Sequence, residues 1–299
     1  MTPSAWCLGV ALALVSRDAL AQACCAGGSP AQPARLQVHE QWLVGGRLGV
    51  RRQRGWFDGA SRPHDDPAGT AEQGLSAEVF GTVRLLSHAQ VTLTVPALLT
   101  ERASPSRSAR GGGVGDLGAA VRWDLFHAPR SHPWPGLALV GGATLPTGRS
   151  AEDAHRPLGV DATGAGSAAL SAGVALEETW RAVAVVAMAQ VGRRLPRTTA
   201  AGREVPGWHL QGLLSASWVA FSGRALGALV RLDHEAAPAL GGQQGQGRRT
   251  LALGPFVHLP LGEGSRLQIA ATVAPLVAGL GRNAPADASA QATLAWGFY

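Results

Sequence analysis

The chain has 299 residues, 46% of them hydrophobic, which is enough apolar material to exclude disorder as a whole-chain reading. All 26 basic residues are arginine and the sequence pI is near 10.7, yet the arginines are scattered singly. Basic runs with interleaved aromatics, of the kind that track a phosphate backbone, are missing, so nucleic acid is not an expected partner.

Residues 1–23 read as an export signal, because Ala5–Val15 is an apolar core of suitable length and Ala21-Gln22-Ala23 is a small-x-small cleavage site. No basic residue precedes that core. Cys7 would leave with the signal, and Cys24 and Cys25 would stand at the new N-terminus. Ala23 before Cys24 is compatible with acylation, although the usual leucine three residues upstream of the cysteine is absent. The pair has no His or Cys partner at metal-binding spacing. Residues 24–40 are expected to form a periplasmic segment ahead of the main fold.

From Gln41 onward the apolar signal has period two, which specifies strands with one apolar and one polar face. In "LSAEVFGTVRL" the residues Leu75, Ala77, Val79, Gly81, Val83 and Leu85 share one face, while Ser76, Glu78, Thr82 and Arg84 share the other. In "QVTLTVPAL" the apolar face is Val91, Leu93, Val95 and Ala97. Twelve such segments succeed one another, near residues 41–54, 74–85, 89–100, 116–126, 136–145, 165–178, 182–193, 208–220, 224–234, 249–261, 265–277 and 288–298. Each is close to the length of a tilted membrane strand. No helical segment interrupts them, and no stretch after the leader is long enough for a transmembrane helix.

The connections alternate as well. Tight links near residues 87–88, 180–181, 222–223 and 262–264 alternate with long polar ones at 55–73, 101–115, 146–164, 194–207 and 235–248. Short and long ends therefore lie on opposite sides of the sheet, as in outer-membrane barrels with short periplasmic turns and long outer loops. An even strand count places both ends of the barrel segment on the short-turn side. Trp42, Trp56, Trp123, Trp180, Trp208, Trp218, Trp296 and Phe298 favour segment ends, where aromatic girdles meet the membrane interfaces. The expected fold is an all-β, transmembrane, antiparallel up-and-down barrel of about 12 strands over residues 41–299.

The alternate phase carries the charge and supplies the candidate lumen-lining residues: Arg47, Arg51, Glu78, Arg84, Arg122, Asp124, Glu177, Arg231, Asp233, His258 and Arg266. Many other positions in that phase are small, among them Ala138, Gly142, Ser171, Gly227 and Thr272. Twelve strands lie between the filled barrels of about eight and the open channels of about sixteen. The expectation is a narrow pore, occluded by loops or by the segment Cys24 to Glu40.

Other motifs resolve into less. Gly113-x-Gly115-x-x-Gly118 matches the dinucleotide fingerprint as a string, but the residues after Gly118 alternate with period two instead of starting a helix, and Asp124 is too near for the ribose acid. No Gly-x-Ser-x-Gly elbow is present, and His209, His234 and His258 read as lumen or loop residues. The clusters around His64, Asp65 and Asp66 and around Glu152, Asp153 and His155 match no defined cation site. No catalytic residue, metal or cofactor is expected.

"GVGDLGAAVRWDLF" followed by "PGLALVGGATLPTG" resembles outer-membrane proteins of the phenol-degradation MetA-pathway transporter-like family, through Gly113, Gly115 and Asp116 and then Leu145, Pro146, Thr147 and Gly148. The family's basic-aromatic pair stands here as Arg122-Trp123. The resemblance covers about the central third of the chain. It implies an outer-membrane barrel associated with passage of small, often hydrophobic compounds. The expected partners are outer-membrane lipid, the barrel-assembly machinery, which reads the alternating Ala290–Phe298 ending, and a small-molecule solute. A barrel enzyme acting on lipid and a structural or adhesive barrel are the alternative readings.

Overall fold

A computed structural model describes residues 35–126, 134–200 and 202–299; the leader, Cys24 and Cys25 lie outside the described residues. Twelve long strands run in chain order: β1 (Trp42–Phe57), β2 (Ala71–Leu86), β3 (Ala89–Ser104), β4 (Leu117–Phe126), β5 (Gly136–Leu145) and β6 (Ala169–Trp180), then β7 (Val183–Arg194), β8 (Trp208–Val219), β9 (Ala225–Glu235), β10 (Arg248–Gly262), β11 (Ser265–Val273) and β12 (Ala284–Phe298). Each pairs antiparallel with its sequence neighbours. β12 then pairs with β1, from Trp42 opposite Phe298 to Phe57 opposite Ala284, and the sheet closes on itself. Closure leaves no strand edge, the condition for putting a sheet in lipid.

The two phases of each strand separate as the alternation dictates. Val44, Leu48 and Val50 of β1, Leu93 and Val95 of β3, Val121, Trp123 and Leu125 of β4, and Leu214 and Trp218 of β8 are all exposed on the outer wall. Leu43, Phe80, Thr82, Thr92, Arg122 and Asp124, which take the opposite phase, are buried inside. A hydrophobic exterior with buried charges inverts the soluble pattern and fits a solvent of acyl chains.

Tight turns at one end include Trp180-Arg181-Ala182-Val183, where Arg181 takes a positive φ of 53°, and Gly262-Glu263-Gly264-Ser265. Trp42, Trp123, Trp180, Trp218 and Trp296 ring this periplasmic end on the lipid side. The expected girdle is denser at this end than at the outer one, where Trp56 and Trp208 stand. On the lipid face of the outer end Trp208 stands with the guanidinium of Arg193 5.2 Å above its ring, while Trp56 stacks on His64 at 4.7 Å.

The outer loops hold more strand than their composition suggests. β1, β2 and β3 run for 16 residues each, beyond the ~9–11 that a bilayer needs. The stretch 101–115, expected as loop, contains a strand at Arg107–Val114 that folds back on β3 with Gly113 opposite Leu98 and Gly111 opposite Thr100. Above the membrane nothing requires an apolar face, so alternation gives no signal there. Short strands from the β7–β8 and β9–β10 loops add a small separate sheet, Arg197–Thr199, Gly202–Val205, Ala239–Leu240 and Gln243–Gln244.

The glycine-rich stretch now has a structural reason. Gly111, Gly113 and Gly115 share the inward phase, and the β5–β6 loop lies against the wall that they leave bare. A Cβ on Gly111 would stand 2.8 Å from the Val160 side chain, and one on Gly115 3.2 Å from the Thr163 carbonyl. The two family-like motifs clasp each other at this point. Asp116 accepts from the Gly148 N–H at 2.9 Å and the Ala165 N–H at 2.7 Å, while Thr147 Oγ1 accepts from the Leu117 N–H at 3.0 Å and donates to the Gly115 carbonyl. Further along the loop, burial alone would raise the Asp161 carboxyl. N–H donors from His155 and Arg156 and the guanidinium of Arg149 instead hold it well below the usual carboxylate range. A lowered value means that its contribution is complete above the ordinary carboxylate pKa and is lost only as the pH falls through the lowered one.

Two hydrogen bonds to a charged acceptor are worth about 2 kcal/mol or more together, a shift of about thirtyfold in an opening equilibrium. Asp116→Ala is accordingly expected to leave heat-modifiable gel migration intact and to raise the rate of limited proteolysis within residues 146–168 by about that factor.

Candidate functional site

The interior of the barrel is built in three levels. At the periplasmic level the segment Arg35–Glu40 enters the barrel and crosses it. Arg84 on β2 donates to the Glu40 carbonyl at 3.0 Å and the Gln37 carbonyl at 2.7 Å. Gln90 on β3 accepts from the Leu36 N–H at 3.1 Å, Glu177 on β6 pairs with Arg35, and Arg266 on β11 holds Glu40 at 2.9 Å and the Arg35 carbonyl at 2.9 Å. Those strands lie on widely separated parts of the wall, so the segment bridges the lumen. Leu36 packs into a buried cluster with Leu43, Phe80 and Ala295, and Glu40 is 1% exposed. Gly297 makes room for it, since a Cβ there would meet the Glu40 carboxylate.

The same level holds a relay of charges. Arg122 on β4 hydrogen-bonds Asp124 at 2.8 Å and forms an ion pair with Glu177 at 2.9 Å, and Glu177 continues to Arg35. All three wall residues are less than one-tenth exposed. His258 is buried on β10, opposite Gln268.

At mid-height the wall is two-sided. From β5 to β8 an apolar row runs by register, Ala138 opposite Ala175, Ala175 opposite Met188 and Met188 opposite Leu213, with Val140 packed against it. Leu229, Phe256 and Ala270 form a second apolar cluster over β9 to β11, with Arg231 opposite Leu213 and Ser215 opposite Leu229 where the two meet. The facing strands carry polar pairs: Arg47 with Glu78 at 3.4 Å, Thr82 with Thr92 at 2.9 Å, and Thr272 with Ser289 at 2.7 Å.

At the outer level a cavity of about 480 Å³ opens. Its rim carries Arg51 paired to Glu72 at 2.6 Å and Asp287 at 3.2 Å, Arg231 paired to Asp233 at 2.7 Å, and Glu235 held by Arg194 at 2.7 Å and by Arg248. Its floor reaches Leu213, Leu229 and Ala270. A polar mouth thus leads onto the apolar wall.

Comparison with solved structures bears on this arrangement. The COG4313 outer membrane channel from Pseudomonas putida F1 superposes with a TM-score of 0.74 at 12% identity, over 91% of this chain and 100% of that one. The chain has the fold of a bacterial outer-membrane β-barrel. The β domain of the Bordetella autotransporter BrkA superposes with a TM-score of 0.50 at 15% identity, over 87% and 100% of the two chains. The CymD monoaromatic hydrocarbon channel matches at 0.42 and 8% identity, over 87% and 89%. No protein-family model matches the sequence, and no curated protein matches it.

Within this barrel the eleven candidate residues do not form one site. Arg84, Arg122, Asp124, Glu177, His258 and Arg266 belong to the periplasmic level, Arg47 and Glu78 to the middle, and Arg51, Arg231 and Asp233 to the outer mouth. The residues that complete them are not marked by strand phase. Glu40 and Arg35 precede the first strand, and Glu72, Asp287 and Glu235 sit where the strands extend beyond the expected ends. Met188, Leu213 and Phe256 are apolar residues in the polar phase. Their only trace is a local break in alternation, such as Leu213-Leu214. The loop acids of the two cation-like clusters bond protein groups: His64 with Asp58, Asp66 with Gln53, Glu152 with Arg197, and Asp153 with Ser150.

Removing one partner of a buried, shared ion pair costs about 3 kcal/mol or more, because the remaining charge stays desolvated. Glu177→Gln leaves both Arg122 and Arg35 short of a carboxylate. Its unfolding midpoint in urea, read by gel migration, is expected to fall well below that of Glu78→Gln, whose pair is about one-quarter exposed.

Proposed function

We propose that the chain is a non-enzymatic outer-membrane channel for small, hydrophobic solutes, and that it belongs with the phenol-degradation MetA-pathway transporter-like barrels. The single observation that carries the solute class is the outer cavity of about 480 Å³ whose floor continues into the apolar wall of Met188, Leu213, Leu229 and Phe256. A passage for ions or sugars has no use for such a wall, since polar solutes need hydrogen-bonding partners throughout. An apolar solute gains on reaching it, by about 25 cal/mol for each Å² removed from water. The polar pairs on the facing strands keep the remainder of the lumen hydrated, so the solute would move along one side of it.

The family assignment is supported by the clasp between Gly-x-Gly-Asp and Leu-Pro-Thr-Gly, which gives those short motifs a shared structural task. The inward Arg, Glu and Asp residues then act as gate and filter. Intact cells producing the protein are expected to take up a small aromatic hydrocarbon faster than cells without it. Leu213→Asn combined with Leu229→Asn, which places amides on the cavity floor, is expected to cut that gain about tenfold or more. Uptake equal in the variant and the parent would refute the apolar path.

A further inference from the structure

The lipid-facing phase is free of charge in the middle of the strands but not at their outer ends. Arg52 on β1, Glu101 on β3, Arg193 on β7, His234 on β9 and Arg249 on β10 all take the outward phase there, as do Arg110 opposite Glu101 and Arg282 opposite Arg249. The periplasmic end has tryptophans in the corresponding place. The outer end therefore shows an excess of arginine on its lipid face, beside Trp56 and Trp208, that suits anionic headgroups.

One part of this belt is shaped as a site. A groove of about 500 Å³ lies on the outer wall across β12, β1, β2 and β3. Its upper row, read by register, is Arg52, Gln73, Glu101 and Arg110 on neighbouring strands. Two residues closer to the membrane centre, about 7 Å lower, the row becomes Val50, Leu75 and Leu99. Gln73 donates to Glu101 at 3.0 Å, whereas neither Arg52 nor Arg110 has an ion-pair partner among the described residues. Three strand spacings separate these two arginines, about 14 Å.

We propose that this groove binds a phosphorylated glycolipid of the outer leaflet, a disaccharide with a phosphate at each end and acyl chains below. Arg52 and Arg110 take the two phosphates through charge-assisted hydrogen bonds. Glu101, between them, accepts from sugar hydroxyls and amides, and Val50, Leu75 and Leu99 receive the acyl chains. Such a site holds the barrel at a fixed height and is independent of what passes through the lumen.

The test uses the full chain folded in detergent, bisphosphoryl lipid A as probe, and native mass spectrometry to count bound lipid. Retention on the wild type is expected to fall about tenfold in Arg52→Gln/Arg110→Gln. Gel migration of that variant should remain heat-modifiable. Monophosphoryl lipid A should bind more weakly than the bisphosphoryl form. Wild-type retention by the double variant overturns the proposal. So does equal retention of phosphatidylglycerol, which would make the groove a general anionic surface. An equal loss in Arg249→Gln/Arg282→Gln also overturns it, because the attraction would then belong to the whole belt.

Discussion

Everything in this molecule depends on the hydrogen bonds between β12 and β1. A sheet of twelve strands left open would present two rows of unpaired N–H and C=O groups to a solvent that cannot bond them, at several kcal/mol for each group. The register from Trp42 opposite Phe298 onward removes both edges at once. Once the sheet is closed, strand geometry leaves each side chain only two destinations, lipid or lumen. Charge is tolerated only in the second over the membrane's apolar thickness. The positions of Arg47, Glu78, Arg122 and Arg231 are consequences of closure before they are features of any function.

A barrel of this size has more interior than side chains alone fill, and the chain deals with the two ends differently. At the periplasmic end it inserts its own segment Arg35–Glu40, whose charges pair with Glu177 and Arg266 and whose peptide groups bond Arg84 and Gln90, on four separate strands. At the outer end it folds the β5–β6 loop against a wall stripped to glycine and fastens it through Asp116 and Thr147. Between them remains a polar mouth over an apolar wall. Buried ion pairs such as Arg122–Asp124–Glu177 contribute little net stability beside apolar alternatives of the same volume. Their value lies in fixing where the inserted segment sits.

The fold was legible because period two is imposed by lipid at every strand, and the twelve expected segments coincide with the twelve strands to within a few residues. Legibility ends where lipid ends. The extensions that bring in Glu72 and Glu235 and the small sheet of the outer loops lie beyond the membrane's apolar thickness, and the hairpin strand Arg107–Val114 starts there and descends only to its rim, where polar residues suit both strand and coil. The outward arginines 52, 193 and 249 contradict the expectation of an uncharged apolar phase at those positions, since the interface begins before the strand stops. Of the lumen, strand phase names eleven charged candidates and the levels at which they stand are legible only in the structure. Their partners are not legible in the sequence, because Glu40 reaches Arg266 over 226 residues and no local pattern encodes that contact.

Residues 35–40 cross the lumen at its periplasmic end, where they would block a passage. Single-channel recording in planar bilayers tests that block most directly, comparing the full chain with Arg84→Ala/Arg266→Ala, which removes the two side chains that bind that segment to β2 and β11. Small or rare openings are expected for the full chain and a conductance several-fold larger for the variant, with both proteins heat-modifiable on gels. Identical currents from the two folded proteins would contradict it.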